Sequence, residues 1–157
     1  MLYSMDIRER ALGFFSVAKE IYRRAIRLLN SGSIYEAFIL GYNSVEIFIR
    51  TYFMIRLQTN RMGNQGISDF LEIVPIFSTK DEWKEEYFIT TKIYDWLSLG
   101  EDLYSKMLEG DLDNSAAVEI KEFIFNIGKI SIIIENYIYN GPARITVGDF
   151  KEMWWEN

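Results

Sequence analysis

The pattern of apolar and polar positions predicts several long helices and one helix at their centre. Residues 34 to 57 form an apolar run that is too long for a strand, and Ser33 with Glu36 three residues later is a helix start signal. Apolar side chains point in almost every direction around this helix, which is typical of a helix covered by several neighbours. We therefore expect residues 34 to 57 to form the central helix of an all-α fold.

A regular apolar stripe predicts the preceding helix, from about residue 5 to 30, and Gly32 is placed to end it. The stripe alternates steps of four and three residues: Ile7, Ala11, Phe14, Ala18, Ile21, Ala25 and Leu28, widened by Phe15, Tyr22 and Leu29. Its small residues match Ala37, Gly41 and Ser44 in the central helix, so we expect two small-residue seams to face each other in an antiparallel hairpin.

Ala18→Leu or Gly41→Leu should then destabilise the fold more than a change on the basic face.

Turn and cap residues divide the rest of the chain. After an exposed loop over residues 58 to 66, we predict helices over about residues 68 to 76, 80 to 98, 101 to 108 and 114 to 139. Pro75 should end or kink the first of these, Ser78 or Thr79 should begin the second, and Gly100 should separate the second from the third. The result is a four-to-five-helix up-and-down bundle.

The last long helix has a cap at Asp113 or Asn114 and a breaker at Asn140-Gly141-Pro142. Its predicted core stripe is Ile120, Phe123, Ile127, Ile130, Ile134 and Tyr137, while Gly128 and Ser131 should allow a close crossing. An aromatic tail over residues 143 to 157 follows. Adjacent tryptophans are rarely left in water, so we expect Trp154 and Trp155 to dock on this domain or at an interface with a partner.

Composition indicates one domain over residues 1 to 157 and removes several chemistries. There is no cysteine and no histidine, so thiolate metal sites, catalytic triads and imidazole bases are excluded. No secretory signal or membrane-spanning run is present, and we expect a cytoplasmic protein that uses no cofactor and no metal and does not contact a membrane.

The charge is distributed unevenly. Residues 1 to 61 carry nine Lys/Arg and five Asp/Glu, net +4, whereas residues 62 to 157 carry eight and eighteen, net −10. Arg23, Arg24 and Arg27 form a basic face on the first helix, which Arg56 and Arg61 extend if the hairpin returns beside its start. Such a face contacts phosphates or is simply solvated. Against a total charge of −6 we expect weak or no nucleic-acid binding.

Two polar patterns are candidate sites. Asn43, Glu46 and Arg50 share one stripe of the central helix, where Glu46 and Arg50 have the spacing of an ion pair, so the stripe is either a self-satisfied pair or a ligand or partner site. Glu-x-x-Glu pairs could instead hold Mg²⁺, as in all-α nucleotide pyrophosphatases, although their companion Glu-x-x-Asp is missing. The members of these pairs are Glu82, Glu85, Glu86, Glu119 and Glu122.

Residues 18 to 53 resemble the first two helices of HEPN-type domains. The features that carry the resemblance are Ala18, Ala25, Gly32, Tyr35, Ala37, Glu46 and Arg50. The family's ribonucleases use an arginine followed closely by a histidine near the start of the last core helix, and this chain has neither there. The resemblance therefore implies a helical bundle without catalytic residues: a homodimeric binding or assembly module for RNA, a nucleotide or a nucleotidyltransferase-type protein partner.

Overall fold

Five α-helices build an all-α bundle, seen in a computed structural model that describes residues 2–77, 84–141 and 154–156, with side chains for residues 6–72, 93–141, 154 and 155. The helices are α1 (Leu2–Asn30), α2 (Ile34–Arg56), α3 (Ile67–Phe77), α4 (Lys84–Leu108) and α5 (Ala117–Asn140), with short 3₁₀ turns at Asn114–Ala116 and Trp154–Glu156. The predicted all-α class is confirmed. None of the helices described is long and apolar enough to cross a membrane.

Contacts at both ends of the helices set their directions. The Tyr35 hydroxyl lies 3.3 Å from Asn114 Oδ1 before α5, and Arg56 Nη1 lies 3.4 Å from the Tyr137 hydroxyl near its end, so α2 and α5 run parallel. The short turn after α1 makes that helix antiparallel to both. Because Gly100 of α4 lies against Phe123 and Trp96 lies near Lys129, α4 is antiparallel to α5. The long helices therefore alternate in direction, as the sequence predicts.

The α1–α2 turn follows from Gly32. Its φ is +90°, a conformation that glycine adopts without strain. Ser33 N–H donates to Leu28 O at 2.9 Å and Gly32 N–H to Leu29 O at 3.2 Å, which is the hydrogen-bond pattern of a Schellman motif. Ser33 is the residue before the first turn of α2, as the start signal predicts, but its side chain makes no cap hydrogen bond. The backbone of Ser33 instead completes the end of α1.

The core draws on all five helices, and α2 and α5 supply most of its buried residues. On α1 the stripe is centred on Phe15 and Tyr22 rather than on Phe14 and Ile21, which are only partly buried. Five of the six residues of the predicted α5 stripe are buried, all but Tyr137. Helix α2 is buried on most of its circumference, but Tyr35 and Ile39 are exposed, so it is less completely covered than its sequence predicts.

Gly100 does not interrupt a helix. Helix α4 runs without a break from Lys84 to Leu108, so the prediction of separate helices over residues 80 to 98 and 101 to 108 is wrong. A Cβ at Gly100 would lie 2.3 Å from Phe123 Cε1. The absence of a side chain at Gly100 therefore serves a close approach of α4 to an aromatic ring of α5.

Other boundaries match the sequence more closely. Helix α3 continues two residues past Pro75, so that proline does not end it. The Asp113 carboxylate accepts the Ser115 N–H at 2.9 Å and caps the 3₁₀ turn before α5, and its hydrogen bonds from Ser115 lower the pKa of Asp113. Gly141, with a φ of +70°, ends α5 as predicted. The predicted start at Ser78 or Thr79 and most of the tail over residues 143 to 157 lie outside the described residues.

Gly41 contacts α5 and not the alanine seam of α1. A Cβ at Gly41 would lie 3.2 Å from Ile127 Cδ1 and 3.4 Å from Ile124 Cγ1. The three alanines Ala11, Ala18 and Ala25 are fully buried, but the predicted pairing of two small-residue seams is wrong at Gly41. Helices α2 and α5 approach closely there because no side chain stands between them.

Gly41→Leu is expected to destabilise the protein by about 1 to 3 kcal/mol, the usual cost of overpacking a filled core. Arg24→Ala, on the exposed side of α1, should stay within about 0.5 kcal/mol. Urea unfolding followed by far-UV circular dichroism measures both. Equal unfolding midpoints for the two variants would show that α2 and α5 are not in close contact at Gly41.

Candidate functional site

A polar cluster lies where α2 meets α4 and the loop over residues 58 to 66. The Tyr42 hydroxyl donates to Glu101 Oε1 at 2.5 Å, and the Tyr42 ring stacks on Tyr104 with centroids 4.3 Å apart. Burial raises the pKa of Tyr42 far above its usual range, and the Glu101 hydrogen bond and charge add to this. Tyr42 therefore stays neutral and acts as a hydrogen-bond donor between the two helices.

Two residues of the predicted stripe on α2 lie against this loop, and one of them bonds to it. Arg50 Nε donates to the Gln65 carbonyl at 2.8 Å, and Glu46 Oε2 lies 2.5 Å from where a Cβ on Gly66 would be. Among the described side chains, no ion pair joins Glu46 to Arg50, so the predicted i, i+4 salt bridge does not form. Asn43 is exposed on the same stripe. That the stripe binds a ligand or partner stays a prediction.

Glu46 is less acidic than an ordinary glutamate. Burial raises the pKa of Glu46, Arg50 opposes the rise, and the charges of Glu101 and Asp69 add to it. The folded state therefore holds the Glu46 proton more tightly than the unfolded state does. Its contribution to stability is largest below the ordinary glutamate pKa and is lost as pH rises through the folded-state value.

Glu46→Gln is expected to be more stable than the natural chain at pH 7, with the difference shrinking at pH 4. The amide has no charge to desolvate, whereas the carboxylate at pH 7 does. Urea unfolding at the two pH values measures this difference. Glu36→Gln, the same change at an exposed position of α2, is the matched control. A Glu46→Gln variant that is less stable at pH 7 would mean that the attraction between Glu46 and Arg50 outweighs burial.

The predicted basic face of α1 is divided between internal contacts and solvent. Arg23 pairs with Glu20, and its guanidinium lies 5.1 Å from the centroid of the Trp154 ring. Arg24 and Arg27 are exposed. Both are accessible, and neither has an aromatic contact with the described residues.

Arg61 does not extend that face, and Arg56 contacts the Tyr137 hydroxyl near the end of α5. Arg10 Nε donates to the Asn60 carbonyl at 2.7 Å, so the end of the hairpin does return beside the start of α1, as expected. At about 1.5 Å per residue, Arg24 lies about 21 Å further along the helix than Arg10. Arg61 is therefore at the opposite end of α1 from Arg24 and Arg27.

Trp154 and Trp155 pack on their own chain rather than being left for an interface with a partner. Trp155 is buried and lies where a Cβ on Gly128 would come within 2.3 Å of its Cη2 atom. Trp154 Nε1 donates to Ser131 Oγ at 2.9 Å. Each indole makes a T-shaped contact with the Tyr22 ring, with ring centroids 5.7 Å apart in both cases. The close crossing predicted at Gly128 is made with the tail.

An open groove of about 860 Å³ lies beside Trp155, between the end of α1 and the first half of α5, and we call it the α1–α5 groove. Its lining residues are Ile26, Leu29, Asn30, Lys121, Glu122, Phe125 and Trp155. Four of the seven are apolar, and Phe125 is 41% exposed. Apolar floors with a few polar groups at the rim are typical of binding clefts.

Sequence reasoning missed this groove. Phe125 is a large apolar residue that lies outside the predicted α5 stripe. That position was the signal in the sequence that could have indicated an apolar surface away from the core. The groove also depends on Trp155 packing back onto α5. That contact joins residues far apart in sequence, so no local pattern reveals it.

The Glu-x-x-Glu pairs form no metal site within the described part of the chain. Glu119 and Glu122 are exposed on α5, and the side chains of Glu82, Glu85 and Glu86 lie outside the described residues. Within the described part of the chain, no group of three or more acidic side chains is placed to hold a metal ion. The magnesium-dependent alternative stays a prediction.

Comparisons with known proteins identified no relative. No protein-family model matches the chain, and neither do any curated protein sequences or solved structures.

Proposed function

We propose that this chain is a non-catalytic, HEPN-like helical module that binds a protein partner in the cytoplasm through the α1–α5 groove. One observation carries the proposal: an open groove with an apolar floor made by Ile26, Leu29, Phe125 and Trp155. Grooves between helices that expose apolar side chains commonly receive segments of other proteins. The resemblance over residues 18 to 53 supports an assembly role, with a nucleotidyltransferase-type protein as one partner that it implies.

Selection of peptides displayed on phage against the immobilised full chain tests the proposal. We expect enrichment of peptides that bind the natural chain and lose binding to Phe125→Ala, because that change removes part of the groove floor while altering a side chain that is already 41% exposed. Val118→Ala, at an exposed position on the same helix, is the matched control and should retain every selected peptide. Selection that yields only peptides indifferent to Phe125→Ala would refute binding through the groove.

RNA is a second candidate because Arg24 and Arg27 are exposed on α1. Binding through phosphate contacts should be weak and should fall steeply between about 50 and 200 mM salt. Anisotropy of a labelled single-stranded RNA at both salt concentrations measures it. Tight binding that resists salt would contradict this expectation.

The homodimer that the resemblance implies stays a prediction. Trp154 and Trp155, for which a partner interface was the alternative, dock on their own chain, so a dimer has to use another apolar surface, such as exposed Tyr35 and Ile39 on α2. Light scattering should give about twice the chain mass of 18.5 kDa. Only the monomer mass at micromolar concentration would exclude the dimer.

A further inference from the structure

The seam between α1 and α5 already binds one aromatic segment, the chain's own C-terminal turn. The Trp155 indole occupies the space over Gly128, and Trp154 donates to Ser131. Lys19 Nζ lies 4.6 Å from the Trp154 ring centroid and Arg23 lies 5.1 Å from it, so two cations of α1 cover that indole. Cations over aromatic rings attract the negative face of the ring.

The chemistry of the bound segment is visible in its sequence. Residues 152 to 156 read Glu-Met-Trp-Trp-Glu, two tryptophans between acidic residues. The seam that receives the two indoles presents Lys19, which pairs with Glu135 at 3.9 Å, and Arg23, which pairs with Glu20. The two tryptophans of this turn are thus an example of an aromatic anchor bound beside cations of α1.

The open groove continues this seam and repeats its chemistry. Trp155 lines both the occupied part and the open part, where Phe125 supplies a second aromatic surface. Lys121 stands at the rim, and Lys129 Nζ lies 5.0 Å from the Phe125 ring centroid. Glu122 is the acidic residue of the lining.

These contacts favour a peptide over a nucleic acid as the occupant. Single-stranded nucleic acids bind through bases stacked on aromatic faces. Lys129 lies over the Phe125 ring, so a cation of the protein already uses that face, and Trp155, the other aromatic residue of the lining, is only 7% exposed. An apolar side chain packed against the floor needs no free ring face.

We propose that the α1–α5 groove binds a segment of a partner protein that carries an aromatic anchor flanked by acidic residues, the chemistry of this chain's own C-terminal turn. The inference rests on the proposed function and adds the chemical class of the partner segment. The anchor packs on Leu29 and Phe125, and the acidic flanks meet Lys121 in the lining and Lys129 beside the Phe125 ring.

Fluorescence anisotropy with the full chain tests the proposal, using three labelled peptides of sequence EEMWWEE, KKMWWKK and EEMAAEE. We expect EEMWWEE to bind, and to bind at least about tenfold more tightly than either of the others. Phe125→Ala and Lys121→Glu should each weaken its binding by about tenfold. The matched controls are Val118→Ala and Arg61→Glu, the latter with the same charge change at an exposed position of the 58–66 loop, and both should leave binding unchanged.

The alternative results separate this inference from the proposed function. Stronger binding of KKMWWKK, lost in Phe125→Ala, would overturn the acidic preference and leave groove binding intact. Binding of EEMWWEE that ignores both groove variants would overturn the inference, because the peptide would then occupy another surface. A dimer that becomes a monomer in Phe125→Ala would show that a second copy fills the groove. Binding of a uridine octamer with none of the peptides would refute the inference and the peptide-binding function together.

Discussion

Trp155→Ala is expected to lower the free energy of unfolding by about 3 to 5 kcal/mol, the usual cost of truncating a large buried aromatic side chain to alanine. The indole is only 7% exposed, and it packs against Gly128, Tyr22 and Phe125. Removing it opens a cavity that the glycine cannot fill. Urea unfolding followed by far-UV circular dichroism is the measurement, because the signal does not depend on tryptophan.

Two controls identify the docked tail as the cause. Val118→Ala alters a side chain on α5 that is 76% exposed, and its effect should stay within about 0.5 kcal/mol. Trp154→Phe keeps an aromatic ring but removes the hydrogen bond to Ser131, which should cost about 1 kcal/mol. An unfolding midpoint for Trp155→Ala equal to that of the natural chain would mean that the tail does not stabilise the bundle.

Gly100→Leu and Gly13→Leu are expected to change stability in opposite directions. Both glycines lie inside helices, where leucine is favoured over glycine by somewhat less than about 1 kcal/mol. At Gly13 a Cβ would meet nothing within 4 Å, so the substitution should stabilise the protein. At Gly100 the Cβ would lie within 2.3 to 2.9 Å of three Phe123 ring atoms, so we expect a loss of about 3 kcal/mol from overpacking.

A double-mutant cycle checks the cause of the Gly100 effect. Phe123 is fully buried, and Phe123→Leu should by itself destabilise the core. If the ring is what Gly100→Leu collides with, the double variant should be more stable than the sum of the two single effects predicts, because neighbouring substitutions do not add. Strict additivity, or a stabilising Gly100→Leu, would show that α4 and α5 are further apart at this point.

Helix periods and end signals were readable from the sequence because they are local. The stripe Ile120, Phe123, Ile127, Ile130 and Ile134 is buried as predicted, since the period of the α-helix places these positions on one face. Gly32 and Gly141 end their helices because each takes a positive φ immediately after the last turn. Residues within one or two turns of each other are sufficient to specify such features.

The roles of glycines inside helices were predicted less well, because a glycine can either break a helix or allow a close contact between two helices. Gly100 looked like a break and Gly41 like part of a seam facing α1, but both allow close contact with α5. A sequence shows that a side chain is absent and does not show which neighbour uses the space. The partner is chosen by helix packing across a long sequence separation.

The sequence by itself determined the all-α class, the main helix ends and the absence of thiol and imidazole chemistry, because composition and helical period depend only on residue identity and spacing. The tertiary structure alone decided that Arg50 holds the Gln65 carbonyl instead of pairing with Glu46, that Trp155 docks over Gly128, and that a groove opens beside it. Each of these contacts depends on how whole helices and the tail pack together. That packing minimises exposed apolar surface over the entire chain, and no single segment encodes it.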